Sequence, residues 1–405
     1  MRIILTIILA SLTIHAFSQD KKAKQIIEVL ASDSLAGRGY VAKGQEKAAQ
    51  FISNKLFSYG ISSTRQTLSY PVNTFPKEIM LAAKEKKSEN LYQPGSDFLI
   101  HPASGSISLK NQEVNALDSF TSLEKVKSGK VYSIKKTAEN AAAVNELVNN
   151  FLKSKNFKKS LLLVLDSGKL TWFPANFQSK NAVVYLRAEL KENSITAKWQ
   201  TQFEEQFSSS NIFAKVSGSR SDSMILFTAH YDHLGKMGDE AIFPGAHDNA
   251  SGVAMLITLA EHFADNPPKF DTYFLFTTAE EIGLLGSYFF VQNPLVDLRK
   301  IKLLINLDLL GTGEEGIMVV NAKKHSKVFE KLKALKPESI PEIKARGEAC
   351  NSDHCLFDQA GVPAIFIYTL GGRQAYHDID DTAEGLSLYG YNSIQKLVIE
   401  FLQQF

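Results

Sequence analysis

Apolar positions along the chain fall into two alternating patterns. Short continuous apolar runs at 211–216, 224–229, 302–307 and 363–368, and another opening at Thr272, have the length and the β-branched or aromatic content of buried strands. Between and around them apolar residues recur at helical spacing. The clearest cases are Val253, Leu256, Ile257, Ala260 and Phe263 in 249–263, and Ala48, Phe51, Ile52, Leu56 and Phe57 in 44–59, with further amphipathic stretches at 22–30 and 388–405. Strands alternating with helices predict an α/β fold with a mixed, mainly parallel central sheet flanked by helices. From 91 to 200 the pattern changes to short strands such as 161–165 and 182–186, one helix at 139–152, and loops rich in Ser, Asn and Lys. That stretch reads as an inserted accessory domain covering the site, set between an N-terminal helical part (19–90) and the main domain (201–405).

Residues 1–18 have a different character. Arg2 precedes an apolar run from Ile3 to Ile14, and small residues stand at Ala16 and Ser18. This is the layout of a secretory signal cleaved after Ser18, and its apolar run is too short to span a bilayer. No later run approaches the roughly 20 apolar residues of a membrane helix. The mature chain is therefore expected to be exported, periplasmic or secreted, with no membrane anchor. A net charge of +2 with the two signs interspersed argues against nucleic acid as the partner. The length of 405 residues exceeds the roughly 100–200 of an ordinary domain, which fits one large domain with an insertion. Cys350 and Cys355 would lie about 7.5 Å apart if the residues between them were helical, so a disulfide requires a loop there, and two free thiols are the alternative. A Cys/His metal site using His354 lacks a fourth ligand nearby. The isolated His101 reads as a surface residue.

Polar residues interrupt the apolar pattern at the strand ends, and each interruption carries chemistry. His230 and Asp232 leave the strand 224–229 on the same side, because strand side chains alternate with period two. Asp248 opens the next helix, where free N–H groups and the macrodipole favour a carboxylate. Glu280 and Glu281 point in different directions, so one can bind a metal while the other faces a reacting water. Asp308 sits in a strongly apolar strand, a costly place for an unpaired carboxylate. His377 follows a glycine-containing loop after the last strand. Ligands of open α/β sheets collect outside the carboxyl ends of the strands. The donors gathered there are those that two zinc ions roughly 3.5–4 Å apart, sharing one carboxylate, would need.

The ordered series His230-x-Asp232, Asp248-Asn-Ala-Ser-Gly, Glu280-Glu281, Asn306-Leu-Asp308, Ser352-Asp-His354, Tyr376-His377 and Asp381-Thr382 resembles the co-catalytic zinc peptidases of family M28, which include bacterial leucyl aminopeptidases. The motifs span about 211–382, and the early helices with the Leu-Ala-Gly-Arg-Gly stretch also fit. The resemblance implies the zinc exopeptidase fold and two zinc ions per chain. His230, Asp248 and Asp308 would hold one ion, and Asp248, Glu281 and His377 the other, with Asp248 as the bridge. It further implies Asp232 as the acid orienting His230, and Glu280 as general base toward a zinc-activated water. The expected activity is removal of N-terminal residues from peptides. A glutaminyl-cyclase-like acyltransferase with a single zinc, a carboxypeptidase or dipeptidase of the same fold, and a non-catalytic binding protein are the alternatives. One departure stands out: Ala349 occupies the position, three residues before Ser-Asp-His, where aminopeptidases of the family often carry a tyrosine as oxyanion donor. Tyr368 and Tyr376 are the candidate replacements, while His233, His247 and His354 read as structural or lining residues.

Overall fold

In a computed structural model, residues 21–405 are described apart from 86–87, 118–122, 188, 191–192 and 374; the expected export signal lies outside the described residues. Helices α1 (21–30) and α2 (Gly44–Ser58) bury Ile26, Ile27, Leu30, Ala48, Ile52 and Leu56 on one side and expose their charged residues on the other. The connection between them contains a 3-10 helix, Asp33–Arg38. Strand β1 (Ser63–Thr74) follows. Its polar composition hides it from an apolar-run reading, yet Gln66, Leu68, Tyr70 and Val72 alternate inward as a strand requires.

A second sheet comes next in the chain. Strands β2 (Met80–Glu85), β3 (Ser88–Tyr92), β4 (Phe98–Ile100), β5 (Ile107–Ala116) and β6 (Val131–Lys135) precede helix α3 (Ala141–Lys153), and β7 (Leu161–Leu165), β8 (Ala182–Leu186) and β9 (Ser194–Trp199) follow it. They pair in the order β3-β2-β9-β5-β6-β7-β8-β4. Helix α3 covers one face through Val144, Leu147, Val148 and Phe151, packed on Leu162 and Val164. The alternate residues Leu161 and Leu163 face a different core with Leu81, Val184 and Trp199.

Strand β10 (Gln202–Val216) returns the chain to the first sheet. After it come β11 (Arg220–His230), the hairpin β12 (Gly235–Met237) and β13 (Ala241–Phe243), α4 (Ser251–Asp265), β14 (Phe270–Thr277), α5 (Leu285–Gln292) and β15 (Ile301–Leu307). The chain ends with β16 (Gly316–Val320), α6 (Ser326–Ala334), β17 (Ile343–Ala345), α7 (His354–Gln359), β18 (Ala364–Leu370) and α8 (Tyr391–Gln403). The sheet order is β1-β10-β14-β11-β15-β18-β16-β17. Its four central strands β14, β11, β15 and β18 are parallel, and the strands next to them, β10 and β16, are antiparallel. This is the mixed, parallel-centred sheet predicted by the alternation of strands and helices. Near-continuous burial of the central strands reflects cover on both faces.

The stretch 235–243 forms a hairpin whose Met237, Ala241 and Phe243, with Leu234, are buried in the core of the second sheet. Phe243 stacks on Trp172 with ring centres 5.0 Å apart. The second sheet is thus anchored on the segment leading to Asp248. Cys350 and Cys355 are disulfide-bonded with Cα atoms 4.9 Å apart, because α7 begins only at His354 and leaves a loop before it. His101 is half-buried against Tyr185 rather than on the surface, accepts the N–H of Ala103 at 3.1 Å, and has its pKa pushed down to about 4 by burial. Among the described residues no helix is long and apolar enough to cross a membrane.

Candidate metal centre

Pairing of His230 with Thr277, Thr228 with Asn306 and Leu307 with Ile367 brings the carboxyl ends of the four parallel strands to one edge. His230 is the last residue of β11, Glu280 and Glu281 lie just past β14, Asp308 directly follows β15, and His377 lies in the loop after β18. Ala279, Leu309 and His377 have φ of 56°, 56° and 53°, left-handed values that β-carbon sterics disfavour. Such backbone positions concentrate where side-chain placement matters more than local comfort.

The fifth segment brings Asp248, and here the structure differs from the helix-start expectation. Asp248 has φ −109° and ψ 99°, α4 begins only at Ser251, and the Asp248–Asn249 peptide is cis. Its carboxylate caps no helix and instead points at two imidazoles. Asp248 Oδ1 lies 3.2 Å from His230 Nε2, and Asp248 Oδ2 lies 3.0 Å from His377 Nε2. Around these, His230 Nε2 is 3.4 Å from Asp308 Oδ1, and His377 Nε2 is 3.1 Å from Glu281 Oε2. The shortest approaches sort the donors into two sets with one oxygen of Asp248 in each. Donor atoms of His230, Glu280 and Asp308 also lie within 4.8 Å of one another, which places Glu280 at the edge of the first set.

The donors fit a pair of cations. Two ligands each about 2.0–2.1 Å from a tetrahedral ion are separated by about 3.3 Å, close to the spacings here. His230 Nδ1 faces the main-chain oxygen of Asp232 at 3.2 Å, which places the ring proton on Nδ1 and leaves the Nε2 lone pair aimed at Asp248 and Asp308. Asp308 Oδ1 is buried without a hydrogen-bond partner, while its Oδ2 accepts from Ser352 at 2.8 Å. Ser352 in turn accepts from Asn306, which accepts from Thr228, so a chain of hydrogen bonds fixes the carboxylate.

The Asp232 carboxylate lies 3.8 Å from His230 Nδ1, so the ring's hydrogen bond goes to the Asp232 main-chain oxygen while the carboxylate acts on the imidazole through charge. That carboxylate accepts the main-chain N–H groups of Glu280 at 3.2 Å and Glu281 at 3.4 Å, fixing the turn that carries both glutamates. His233, with Nδ1 2.6 Å from Glu281 Oε1, holds that glutamate from the other side.

Two residues whose roles the sequence did not disclose hold the Asp248 loop. Arg38 is fully buried, and its guanidinium donates to the carbonyls of Leu30, Tyr231, Pro244, Gly245 and Asp248. Five donors in a fixed plane suit Arg and no other side chain. Burial pulls its pKa down to about 10, so it stays charged at neutral pH. Asp381 accepts the N–H groups of His247 and Asp248 at 2.8 and 3.0 Å. Gly245, at φ 63°, is packed so closely on the His233 ring that a β-carbon would lie 2.4 Å from it. A lone arginine between glycines in an apolar stretch was the available signal for Arg38.

The second sheet reaches the centre through 172–173. Trp172 N–H donates to the His377 carbonyl at 3.0 Å, and the Phe173 ring stands edge-on to His377 at 4.5 Å. Tyr376 stacks on His377 at 3.9 Å and, with Asn351, lines a cavity of about 120 Å3 alongside His230, Asp248, Glu280 and Asp308. The Tyr368 hydroxyl instead accepts from Arg346 at 3.3 Å. His247 Nδ1 accepts from Gly311, and His354 Nε2 faces the Ala349 carbonyl at 2.9 Å.

Electrostatics of the side chains alone are unbalanced. Burial, with repulsion from Glu281, Asp353 and Asp308, pushes Glu280 well above the usual carboxylate range. Burial likewise takes Asp232 up to about 7, with Glu281 adding to it. Burial would raise Glu281 too, but His377 and His233 outweigh it and hold Glu281 at about 2. For His377, burial is outweighed by Glu281 and Asp248, and its pKa rises to about 11. So many carboxylates within a few ångströms call for added positive charge, which divalent cations supply.

Residues 211–402, which carry all five of these donors and Glu280, match the family model of Peptidase family M28. A probable leucine aminopeptidase of Trichophyton verrucosum is 30% identical over 223 residues, covering 50% of this chain and 59% of that protein. A vacuolar membrane protease of Candida glabrata is 25% identical over 248 residues, 59% of this chain and 24% of that protein. The chain thus spans less than two thirds of these curated relatives. Among solved structures, a zinc aminopeptidase from Bacillus subtilis superposes with a TM-score of 0.69 at 19% identity over 95% of this chain and 94% of that one, a likeness of fold. Over 211–402 the chain is thus similar to peptidase family M28, and its fold is that of the Bacillus subtilis aminopeptidase.

Proposed function

We propose that the protein is an exported di-zinc aminopeptidase. The observation carrying this reading is the pair of His–carboxylate sets joined by the two oxygens of Asp248, with Glu280 beside them. His230, Asp248 and Asp308 would hold one zinc, and Asp248, Glu281 and His377 the other. When bound, the ions supply a lowered water pKa and a polarised scissile carbonyl.

The remaining chemistry belongs to side chains. Glu280, held by the Asp232 clamp on its turn and lining the small cavity, accepts the proton of the attacking water and passes it to the leaving amine. Tyr376 takes the place of the donor missing at Ala349. Its ring stacks on His377 in that cavity, where its hydroxyl donates to the developing oxyanion. Phe173 shields the imidazole from water. The signal-like residues 1–18 support export.

Metal content per purified chain, measured with hydrolysis of leucine p-nitroanilide, its N-acetyl derivative and an N-terminal glutamine peptide, tests the reading. Two zincs and cleavage only of free N-termini are expected. One zinc with cyclisation of glutamine would establish the acyltransferase instead, and release of C-terminal residues a carboxypeptidase.

A further inference from the structure

We infer that the cleft between the second sheet and the metal centre binds the part of a peptide that follows the bond being cut. This rests on the exopeptidase reading above. The cleft encloses about 660 Å3, inside the roughly 300–1,000 Å3 range of sites that take drug-sized ligands. Helix α3 presents Asn145, Asn149 and Lys153 to it, one residue per helical turn along a single stripe. Phe173 and Tyr185 also line it, with Trp172 buried behind them against Phe243. Asn145 and Asn149 are exposed, and their amides make no hydrogen bond to another described residue. An amide donates and accepts at once, as an extended peptide backbone requires.

At its near end the cleft reaches Glu281, and Phe173 of its wall is the ring that stands against His377. The cleft therefore borders the metal centre at Glu281 and Phe173. An enzyme that removes one N-terminal residue has a single residue on the acyl side of the cut, so a cleft with room for several holds the amine side. Two of its lysines are matched, Lys136 by Asp166 at 2.9 Å and Lys169 by Asp378 at 2.6 Å, and charge does not dominate recognition. Neutral amides in such a cleft recognise backbone without selecting particular side chains. The selectivity expected is for chain length.

The test is kcat/KM for leucine amide and for leucine followed by one to four alanines. A rise of about tenfold or more by the third alanine, then a plateau, is expected. The double variant Asn145→Ala/Asn149→Ala should lose that rise and keep the wild-type rate on leucine amide. Length-independent rates in the wild type, or equal loss on amide and peptide in the variant, overturn the cleft and leave the exopeptidase reading standing. A second measurement needs no turnover: fluorescence anisotropy of a dye-labelled leucine–tetraalanine peptide titrated with zinc-loaded Glu280→Gln protein, with and without the asparagine substitutions. About tenfold weaker binding with them supports the cleft even where no peptide is hydrolysed, the outcome that removes the exopeptidase reading alone. Equal binding overturns it.

Discussion

The two eight-stranded sheets have the same number of strands and use their interiors differently. In the first, the carboxyl edge of the parallel strands buries His230, Asp232, Asp248, Asp308, His377 and Asp381, with Arg38 beneath them. In the second, between Met80 and Trp199, the buried polar residues among those described are Ser104, Ser160, Ser179 and Asn181, none of them charged. Burying a charge is costly unless it is paired or bound to metal. The first sheet carries that cost at its carboxyl edge, where the charges pair with one another, and the second avoids it.

The largest effect that would sharpen this contrast is a loss of chemistry without a loss of fold. Glu280→Gln is expected to lower kcat by about 10²–10⁴-fold while zinc content and the urea midpoint stay at wild-type values. Retained activity would remove Glu280 from the reaction. Next comes Arg38→Met, which strips five buried carbonyls of their donor and should cost about 3–5 kcal/mol of stability in urea titrations, with weakened metal retention as the Asp248 loop loosens. A cost under about 1 kcal/mol would mean that water replaces the guanidinium and that the arginine does not tie the loop.

The smallest effect lies in the second sheet. His101 has a folded-state pKa of about 4, below its ordinary value, so the unfolded chain binds more protons in between. Its contribution is complete above about pH 6.5 and declines as pH falls toward 4. The ring keeps some contact with solvent, which limits the effect to about 1–2 kcal/mol. His101→Gln, which keeps an acceptor for the Ala103 N–H, should lose that much less stability than the wild type between pH 7 and pH 4. An identical pH profile in the two proteins would show that the histidine is solvated in the folded state.

Much of the first sheet was legible because its strands are buried on both faces and read as apolar runs, and because the reactive residues stand where those runs stop. Strand β1 escaped, since only alternate residues face the core and its other face is polar. The hairpin at 235–243 escaped because its apolar residues are few and their partners, Trp172 among them, lie in a distant part of the chain.

The sequence by itself determined the central apolar strands, the helices between them, the polar residues at the strand ends, and the motifs that resemble the family. These are properties of short windows, where side-chain alternation and helical spacing dictate which way a residue points. Tertiary structure alone decided that Asp248 divides its oxygens between His230 and His377 rather than capping α4, and that the Asp232 carboxylate also clamps the glutamate turn. It also decided that Arg38 bonds to carbonyls as far as 210 positions away. Such pairings depend on where packing brings separate segments of backbone together, and no local periodicity records that distance.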